Sequence, residues 1–420
     1  MVPVDNILCD CSITKILKRR NNGTVMFKEY HAIGGQNKVT MGIYSVLILT
    51  SCLVIGSYAI SSCCKNLIPD LSYKLTGTEV AFPCDSTKNI YKTTGRYVAK
   101  NIIATRMQIY RDDAYVALPR YRHGVPFTLA KFSLKTRGCK AVLVPYPCWP
   151  LQEEGNCEAL QNVVDLFIDG ADHLWVLDIG LVNTLEQPVR RCAPKIVGIN
   201  LKTNQVVKVI SLEPFVTPES RLQYIIVDFS KDGIPFAYVA DGGSGAIIVV
   251  DLKSGSGFRI VLPVAVSTGA VNCVKDVLYI ALARKPCGNI LYFTYLSSPR
   301  LFSIKAEFLQ KGQAMGAVID VGHKPPFGKI VLLGTDNGAA IFFRYKGESD
   351  IFIWNSETVF KPENFLLVQK GDDCRLATEV VAGYKKLMWA IESNFHDYIL
   401  DIAGSLGPSM AVHPLIKTCD

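Results

Sequence analysis

The sequence lacks the short motifs that mark several large enzyme classes. Its 420 residues contain no Gly-x-Ser-x-Gly nucleophile elbow, no His-Glu-x-x-His zinc motif and no P-loop. The glycine pairs near Gly34 and Gly242 do not have the spacing that cradles a phosphate. The six histidines are scattered along the chain, so they do not form a cluster of zinc ligands. The sequence therefore predicts neither a metal site nor a cofactor.

Charge of one sign is not concentrated anywhere. The chain has 45 Lys and Arg against 37 Asp and Glu, a formal net charge of +8, and no block of five or six like charges. A nucleic-acid-binding protein usually gathers its basic residues on one face, and that pattern is missing. A hydrophobic content of 49% with 20% charged residues is typical of a well-packed globular protein. We expect no nucleic-acid partner.

One long segment has no charge at all. Between Lys38 and Lys65 lie 26 uncharged residues, and their apolar centre, 43–60, is diluted by Ser, Thr and Gly. The run Ser57-Tyr58-Ala59 offers the small residues that signal peptidase requires. We therefore interpret 41–62 as a secretory signal that starts at Met41, with 1–40 as an upstream extension, and expect a secreted protein with no membrane contact after cleavage. A type II membrane anchor is the alternative, because the run approaches the ~20 residues that cross a bilayer.

Cysteine usage agrees with an extracellular location. Nine of the 14 cysteines lie from Cys84 onward, widely spaced and with no Cys-x-x-Cys pair. This pattern favours structural disulfides formed in an oxidising compartment over a zinc ribbon or a redox site.

Long helical patterns are scarce, and one β unit recurs. An apolar strand leads through a polar turn to a second strand that ends in polar residues. We take residues at the middle of six such second strands as equivalent: Val116, Val176, Val239, Ile280, Leu332 and Trp389. Their spacings are 60, 63, 41, 52 and 57 residues, and units of this size with about four strands each are typical of propeller blades. The sequence predicts an all-β, six-bladed β-propeller over 93–412, a lead segment at 63–92, and a tail at 413–420 that closes the ring. A β-sandwich or two separate β domains are the alternatives.

Several long stretches resemble the insect yellow and major royal jelly protein family. They are ATRMQIYRDDAYVALPRYRHGVPFTLAKFSL (104–134), CEALQNVVDLFIDGADHLWVLD (157–178), RRCAPKIVGINLKT (190–203) and RLQYIIVDFSKDGIPFAYVADGGSGAIIVVDL (221–252). The resemblance covers most of 95–410 and implies a secreted six-bladed propeller. The segments TLEQPVRRC and QNVVDLFID are most similar to the yellow-g branch, which is associated with the insect eggshell.

The resemblance also carries implications for bridges and function. The family's cysteine positions imply a Cys157–Cys192 disulfide and a second bridge between Cys287 and Cys374. Members of the family are linked to cuticle pigmentation and sclerotisation. Some convert dopachrome, some bind biogenic amines in the channel, and others are nutritive.

The loops that follow the six chosen strands are predicted to meet at one mouth of the channel, which is the usual form of a small-molecule site. Asp178, Asp241 and Asp336 would neutralise a protonated amine. Tyr121 would stack on a ring or hold the cation. The remaining candidates are Arg120, Thr335, Asn337 and Asn394, and the alternative is that such residues only form turns. In the loop after strand 173–178, we expect Glu186 to pair with Arg190 or Arg191.

Two functions stay open at this point. The first is a non-enzymatic propeller that binds aromatic amines or catechols, or joins the cuticle or eggshell matrix. The second is an enzyme that converts dopachrome by proton transfer, for which His123 and Asp178 are the candidate catalytic residues.

Overall fold

The fold is a ring of six antiparallel sheets, each with four strands. The computed structural model of the chain describes residues 71–135, 141–267, 275–314, 316–325, 329–371 and 375–415. The innermost strand of each sheet contacts the innermost strands of its two neighbours, and these contacts return to the first sheet. The chain is therefore a six-bladed β-propeller, as the sequence predicts.

Strand bounds are as follows, counted from the channel outward within each blade. The inner strands are β2 (Arg106–Tyr110), β6 (Val163–Ile168), β12 (Leu222–Phe229), β16 (Leu278–Ala283), β20 (Ile330–Thr335) and β24 (Leu376–Ala382). The second strands are β3 (Asp113–Ala117), β7 (His173–Asp178), β13 (Pro235–Asp241), β17 (Ile290–Tyr295), β21 (Ala340–Tyr345) and β25 (Met388–Ser393). The third strands are β4 (Leu129–Ser133), β10 (Lys195–Asn200), β14 (Ala246–Asp251), β18 (Arg300–Lys305), β22 (Ile351–Asn355) and β26 (Met410–Leu415).

The outer strands are β5 (Val144–Pro145), β11 (Gln205–Ser211), β15 (Gly257–Val261), β19 (Ile319–His323), β23 (Phe365–Gln369) and β1 (Tyr73–Leu75). A two-stranded hairpin, β8 (Leu181–Val182) with β9 (Val189–Arg190), projects from the second blade. The α-helices are short: Asp85–Thr93, Val264–Ser267, Ala306–Gln310 and Phe395–Ile399. The 3-10 turns are Ala99–Asn101, Pro150–Gln152, Glu213–Phe215, Pro362–Asn364 and Tyr384–Lys386. Across the described ranges, no helix is long and apolar enough to span a membrane.

Sequence pattern and turn chemistry explain these blades. The inner and second strands are rich in Val, Ile, Leu and aromatic residues, and the apolar core lies between neighbouring sheets. The tight turns between inner and second strands place Arg111, Asp172 and Gly233 at positive φ values of 54°, 64° and 75°. The polar runs at 111–113, 169–170 and 231–233 lie in these hairpins. The polar pair Lys275-Asp276 instead precedes inner strand β16.

The strand equivalence predicted for blades four and five is wrong. Ile280 and Leu332 lie in the inner strands β16 and β20, whereas the other four reference residues lie in second strands. We call the face at which the inner strands begin the upper face, and the face at which they end the lower face. Neighbouring strands run antiparallel, so the loops after Ala283 and Thr335 open on the lower face. The loops after the second strands of blades one, two, three and six open on the upper face.

Both ends of the described chain complete the last blade. Strand β1 pairs with β26, with Tyr73 opposite Val412 and Leu75 opposite Met410. The predicted lead segment thus contributes the outer strand of blade six, and the predicted boundary at 413 falls inside β26. The N-terminal strand closes the ring by pairing with β26, which includes residues 413–415 of the predicted tail; the residues after 415 lie outside the described part of the chain. The predicted signal segment at 41–62 also lies outside it.

One of the two implied bridges is present. Cys157 and Cys192 are disulfide-bonded, with their Cα atoms 5.5 Å apart. Cys287 is an exposed free thiol, so it does not form the implied bridge, and its intended partner Cys374 lies outside the described residues. The bridge at Cys157 ties the segment before β6 to the segment before β10 of the same blade.

Candidate functional site

A buried charge cluster divides the central channel. Arg106, on inner strand β2, donates from Nε to Asp165 at 2.8 Å, and its Nη2 lies 3.1 Å from the Glu379 carboxylate. Its Nη1 donates to the Thr378 carbonyl at 2.8 Å. The guanidinium also lies 5.0 Å from the centre of the Tyr224 ring. One side chain thus connects the inner strands of blades one, two, three and six.

The two carboxylates of this cluster receive backbone donors as well. Asp165 accepts from the Ile225 N–H at 2.8 Å, and Glu379 accepts from the Met107 N–H. Burial raises the pKa of Glu379 to about 8, although the Arg106 charge acts in the opposite direction. Burial likewise raises the pKa of Asp165. With both carboxylates ionised, the cluster carries one more negative than positive charge.

Above the cluster lies a cavity of about 480 Å³, which we call the upper cavity. Aromatic side chains line it: Tyr121, Tyr224, Tyr279 and Phe395. Tyr224 and Tyr279 are stacked with their ring centres 5.5 Å apart, and Tyr121 lies 6.1 Å from Phe395. Burial raises the pKa of Tyr121 to about 12, so its phenol stays neutral near pH 7. This volume falls within the range of about 300–1,000 Å³ that small-molecule pockets occupy.

Four arginines also line the upper cavity: Arg106, Arg190, Arg221 and Arg344. Among the described residues that line it, none is an aspartate or glutamate. Arg190 and Arg221 are exposed and donate to carbonyl oxygens, of Ile179 at 2.7 Å and of Lys275 and Asp276 at 2.5 Å each. Arg344 is buried and donates to the carbonyls of Ala377 and Tyr345.

A smaller cavity of about 80 Å³ lies on the other side of the cluster, toward the lower face. Arg284, Thr335 and Asn337 line it together with Glu379. The predicted loop residues Thr335 and Asn337 therefore lie at the end of the channel opposite Tyr121. The single mouth predicted from the sequence is wrong, because the loops of blades four and five face the other way.

Two of the aspartates predicted to bind an amine, Asp178 and Asp241, accept hydrogen bonds from backbone N–H groups instead. Asp178 is fully buried and accepts from the N–H groups of Gln161 and Asn162, both at 2.8 Å, and Lys195 lies 3.8 Å away. Asp241 is also fully buried. It accepts from the Ser220 and Ser244 hydroxyls and the Arg221 N–H, and these hydrogen bonds lower its pKa. Each carboxylate anchors the segment that enters an inner strand, so neither is free to bind a ligand.

The predicted polar residues nearby are similarly engaged. Arg120 is 2% exposed, and its guanidinium donates to five backbone carbonyls. Asn394 accepts from the Ser409 N–H at 2.8 Å. Asp336 is exposed and accepts from the Gly338 and Ala340 N–H groups within its own turn. Of the predicted ligand-binding residues, Tyr121 alone lines the upper cavity.

The candidate catalytic pair is not assembled. His123 lies outside the lining of the upper cavity, with its Nδ1 3.0 Å from Glu186 and its side chain 58% exposed. The Asp178 carboxylate already accepts hydrogen bonds from the backbone N–H groups of Gln161 and Asn162. Glu186 pairs with His123 rather than with Arg190 or Arg191; Arg191 instead pairs with Glu154 at 2.9 Å.

Sequence reasoning missed Arg106, Asp165, Glu379 and Arg344. Each is a single charged residue inside an otherwise uncharged strand, in the runs TRMQIY, VVDLFI, ATEVVA and IFFRY. A charge in such a strand must be paired or face a cavity, because burial of an isolated charge is costly. A lone charge in each strand could therefore have marked these residues from the sequence. It does not show which strand carries the partner.

The chain is similar in sequence to one group of known proteins. A family model described as Major royal jelly protein matches residues 161–403. Major royal jelly protein 7 of Apis mellifera is 27% identical over 296 residues, 66% of this chain and 64% of that protein. Major royal jelly protein 1 of the same bee is 25% identical, covering 70% of this chain and 71% of the relative. A Drosophila melanogaster protein named dopaminechrome tautomerase is 28% identical over 171 residues, 40% of this chain and 37% of that protein.

The chain thus spans just under two thirds of the length of major royal jelly protein 7 and a smaller part of the tautomerase. The family model covers more than half of the chain. The chain belongs to the major royal jelly protein family.

Proposed function

We propose that this protein is a secreted propeller that holds a small catechol- or indole-type molecule in the upper cavity. It acts in pigmentation or sclerotisation of cuticle or eggshell, as a carrier or as a matrix component. The observation that carries the proposal is the cavity of about 480 Å³ lined by four aromatic rings. Planar aromatic ligands gain from offset or edge-to-face contacts with such rings, in addition to the area they bury.

Secretion rests on separate observations. The Cys157–Cys192 bridge supports folding in an oxidising compartment, because such bonds are rare where thiols are kept reduced. The uncharged segment at 41–62 supports export through a signal peptide. Detection of the protein in the medium of expressing insect cells, with a new N-terminus near Ile60, tests this part. Retention in the membrane fraction would favour the type II anchor.

The binding part is tested by titrating the purified protein with 4-ethylcatechol and following tyrosine and tryptophan fluorescence. We expect saturable binding that Tyr121→Ala weakens about two- to tenfold, the usual effect of losing one aromatic contact. Tyr110→Ala is the matched control, because Tyr110 is a half-buried tyrosine at the lower end of β2 and outside the cavity lining. Absence of saturable binding, or equal weakening by both variants, would reject the upper cavity as the site.

Conversion of an aminochrome is the second candidate function. Two observations favour it: the relative named dopaminechrome tautomerase, and Glu379, whose raised pKa of about 8 suits a carboxyl that exchanges protons near neutral pH. Against it, Glu379 lines the cavity of about 80 Å³ rather than the upper cavity. Loss of dopaminechrome above the spontaneous rate, abolished by Glu379→Gln, would establish this function.

A further inference from the structure

We infer that the upper cavity selects aromatic molecules that carry a negative charge, with Arg344 as the residue that binds the carboxylate. This inference rests on the proposed function, since it names the ligand class of the same cavity. It differs from the amine predicted from the sequence, which required aspartates at the mouth.

Arg344 is a buried cation without a paired anion. Its Nε donates to the Ala377 carbonyl at 2.7 Å and its Nη1 to the Tyr345 carbonyl at 3.1 Å. No described residue accepts a hydrogen bond from its Nη2, and no described carboxylate lies within 4.0 Å of the guanidinium. The residue lines the upper cavity. Burial lowers the pKa of Arg344, because a charged group without a paired anion is less stable away from water.

Glu392, the acid whose charge acts on Arg344, already has other partners. Glu392 acts on Arg344 at a distance, but its carboxylate lies 3.2 Å from His413 Nε2 and accepts from Gln369 at 3.1 Å. The pKa of the buried His413 is raised by this contact with Glu392. Arg344 therefore keeps one guanidinium edge for a ligand in the cavity.

The other charged residues of the upper cavity also favour a negatively charged ligand. The positive charge of Arg106 is matched by Asp165 and Glu379 beneath it. Arg190 and Arg221 lie at the exposed rim. Among the described residues their guanidinium groups donate to carbonyl oxygens and pair with no carboxylate, so their positive charges attract anions toward the opening. An ammonium group entering the cavity meets no lining carboxylate among the described residues, whereas a carboxylate meets the free edge of Arg344. Guanidinium–carboxylate hydrogen bonds are strong in such surroundings because both partners are charged.

Three catechols with side chains of similar size but different charge test this inference: 3,4-dihydroxyphenylacetate, 4-ethylcatechol and dopamine. Titration of the full-length protein at pH 7 should give the tightest binding for the acetate and the weakest for dopamine. A charged hydrogen bond at a desolvated site corresponds to a preference of about ten- to a hundredfold for the acetate over 4-ethylcatechol. Arg344→Gln should reduce this preference to less than about threefold while 4-ethylcatechol still binds.

Two further variants separate a ligand-binding role from a structural one. Arg344→Lys keeps the charge and should retain part of the preference for the acetate, although it loses the two carbonyl contacts. Arg111→Gln removes an exposed arginine from a lower-face turn and should leave the preference unchanged. If Arg344→Gln does not fold, the ranking of the three catechols by the unaltered protein still decides the charge preference, and Arg344→Lys tests the part of Arg344.

The outcomes of the inference and of the proposed function are distinguishable. Equal affinity for all three catechols would overturn the inference but leave the upper cavity as a catechol site. Tightest binding of dopamine would overturn the inference in favour of an amine. Binding of none of them would reject both.

Discussion

Replacing Arg106 should reveal how strongly one guanidinium stabilises the centre of the ring. Arg106→Met leaves Asp165 and Glu379 buried, at 1% and 4% exposure of their side chains, without their shared cation. Removal of one partner from a buried ion pair costs about 3–5 kcal/mol, because the remaining charge is left uncompensated. The entropy of unfolding is about 2.1 cal/mol/K per residue, or roughly 0.7 kcal/mol/K for a propeller of this size, so Tm should fall by about 4–7 °C.

The loss of stability on Arg106→Met should also depend on pH. The Arg106 charge lowers the pKa of Glu379, so Arg106→Met should raise that pKa above the value of about 8 that it has in the unaltered protein. Ionising Glu379 at high pH then costs the variant more than the unaltered protein. The loss on Arg106→Met should therefore be larger at pH 9 than at pH 6. Denaturant unfolding followed by tryptophan fluorescence at both pH values measures it, with Arg111→Met on the lower face as the control. A loss below about 1 kcal/mol, or an equal loss at both pH values, would refute a buried charge cluster.

Three other perturbations have defined outcomes. Replacing Cys157 and Cys192 by serine should lower the free energy of unfolding by about 3–4 kcal/mol for a loop of 35 residues, measured by denaturant titration; an unchanged midpoint would contradict this. In the unaltered protein, the free energy of unfolding should fall as pH rises from the ordinary carboxyl pKa toward 8, since folded Glu379 holds a proton that the unfolded chain releases. Glu379→Gln should flatten that slope, and an equal slope in the variant would assign it to other groups. His123→Ala should leave catechol affinity unchanged, because this exposed side chain lies outside the upper cavity; a change above threefold would place it in the site.

The propeller was predictable from sequence, because apolar strands alternate with tight polar turns at blade-sized intervals. The sequence did not predict that, in blades four and five, the strand taken as the second strand is the inner strand. Ala283-Arg284 and Thr335-Asp336 resemble the polar ends of second strands, but they end inner strands. The interval of 41 residues between Val239 and Ile280 was the sign of this one-strand shift.

The site was less predictable, because local pattern does not say which way a polar side chain points. Asp178 and Asp241 have the composition of ligand-binding loop residues, yet both turn inward to accept backbone N–H groups. The Arg106–Asp165 contact joins residues 59 positions apart on different blades. Such a pair follows only from the closed order of the inner strands, which a single sequence does not reveal.

The pairing of β1 with β26 also bears on how the protein is made. Tyr73 leaves the ribosome long before its partner Val412, which lies 339 positions later in the chain. At about 5–20 residues per second, the first strand waits roughly 20–70 s before its edge can be satisfied. During that interval five blades can assemble while the sixth has no sheet to join, and open strand edges are the usual starting points for aggregation. The N-terminal strand therefore keeps an unpaired edge until β26 has been made.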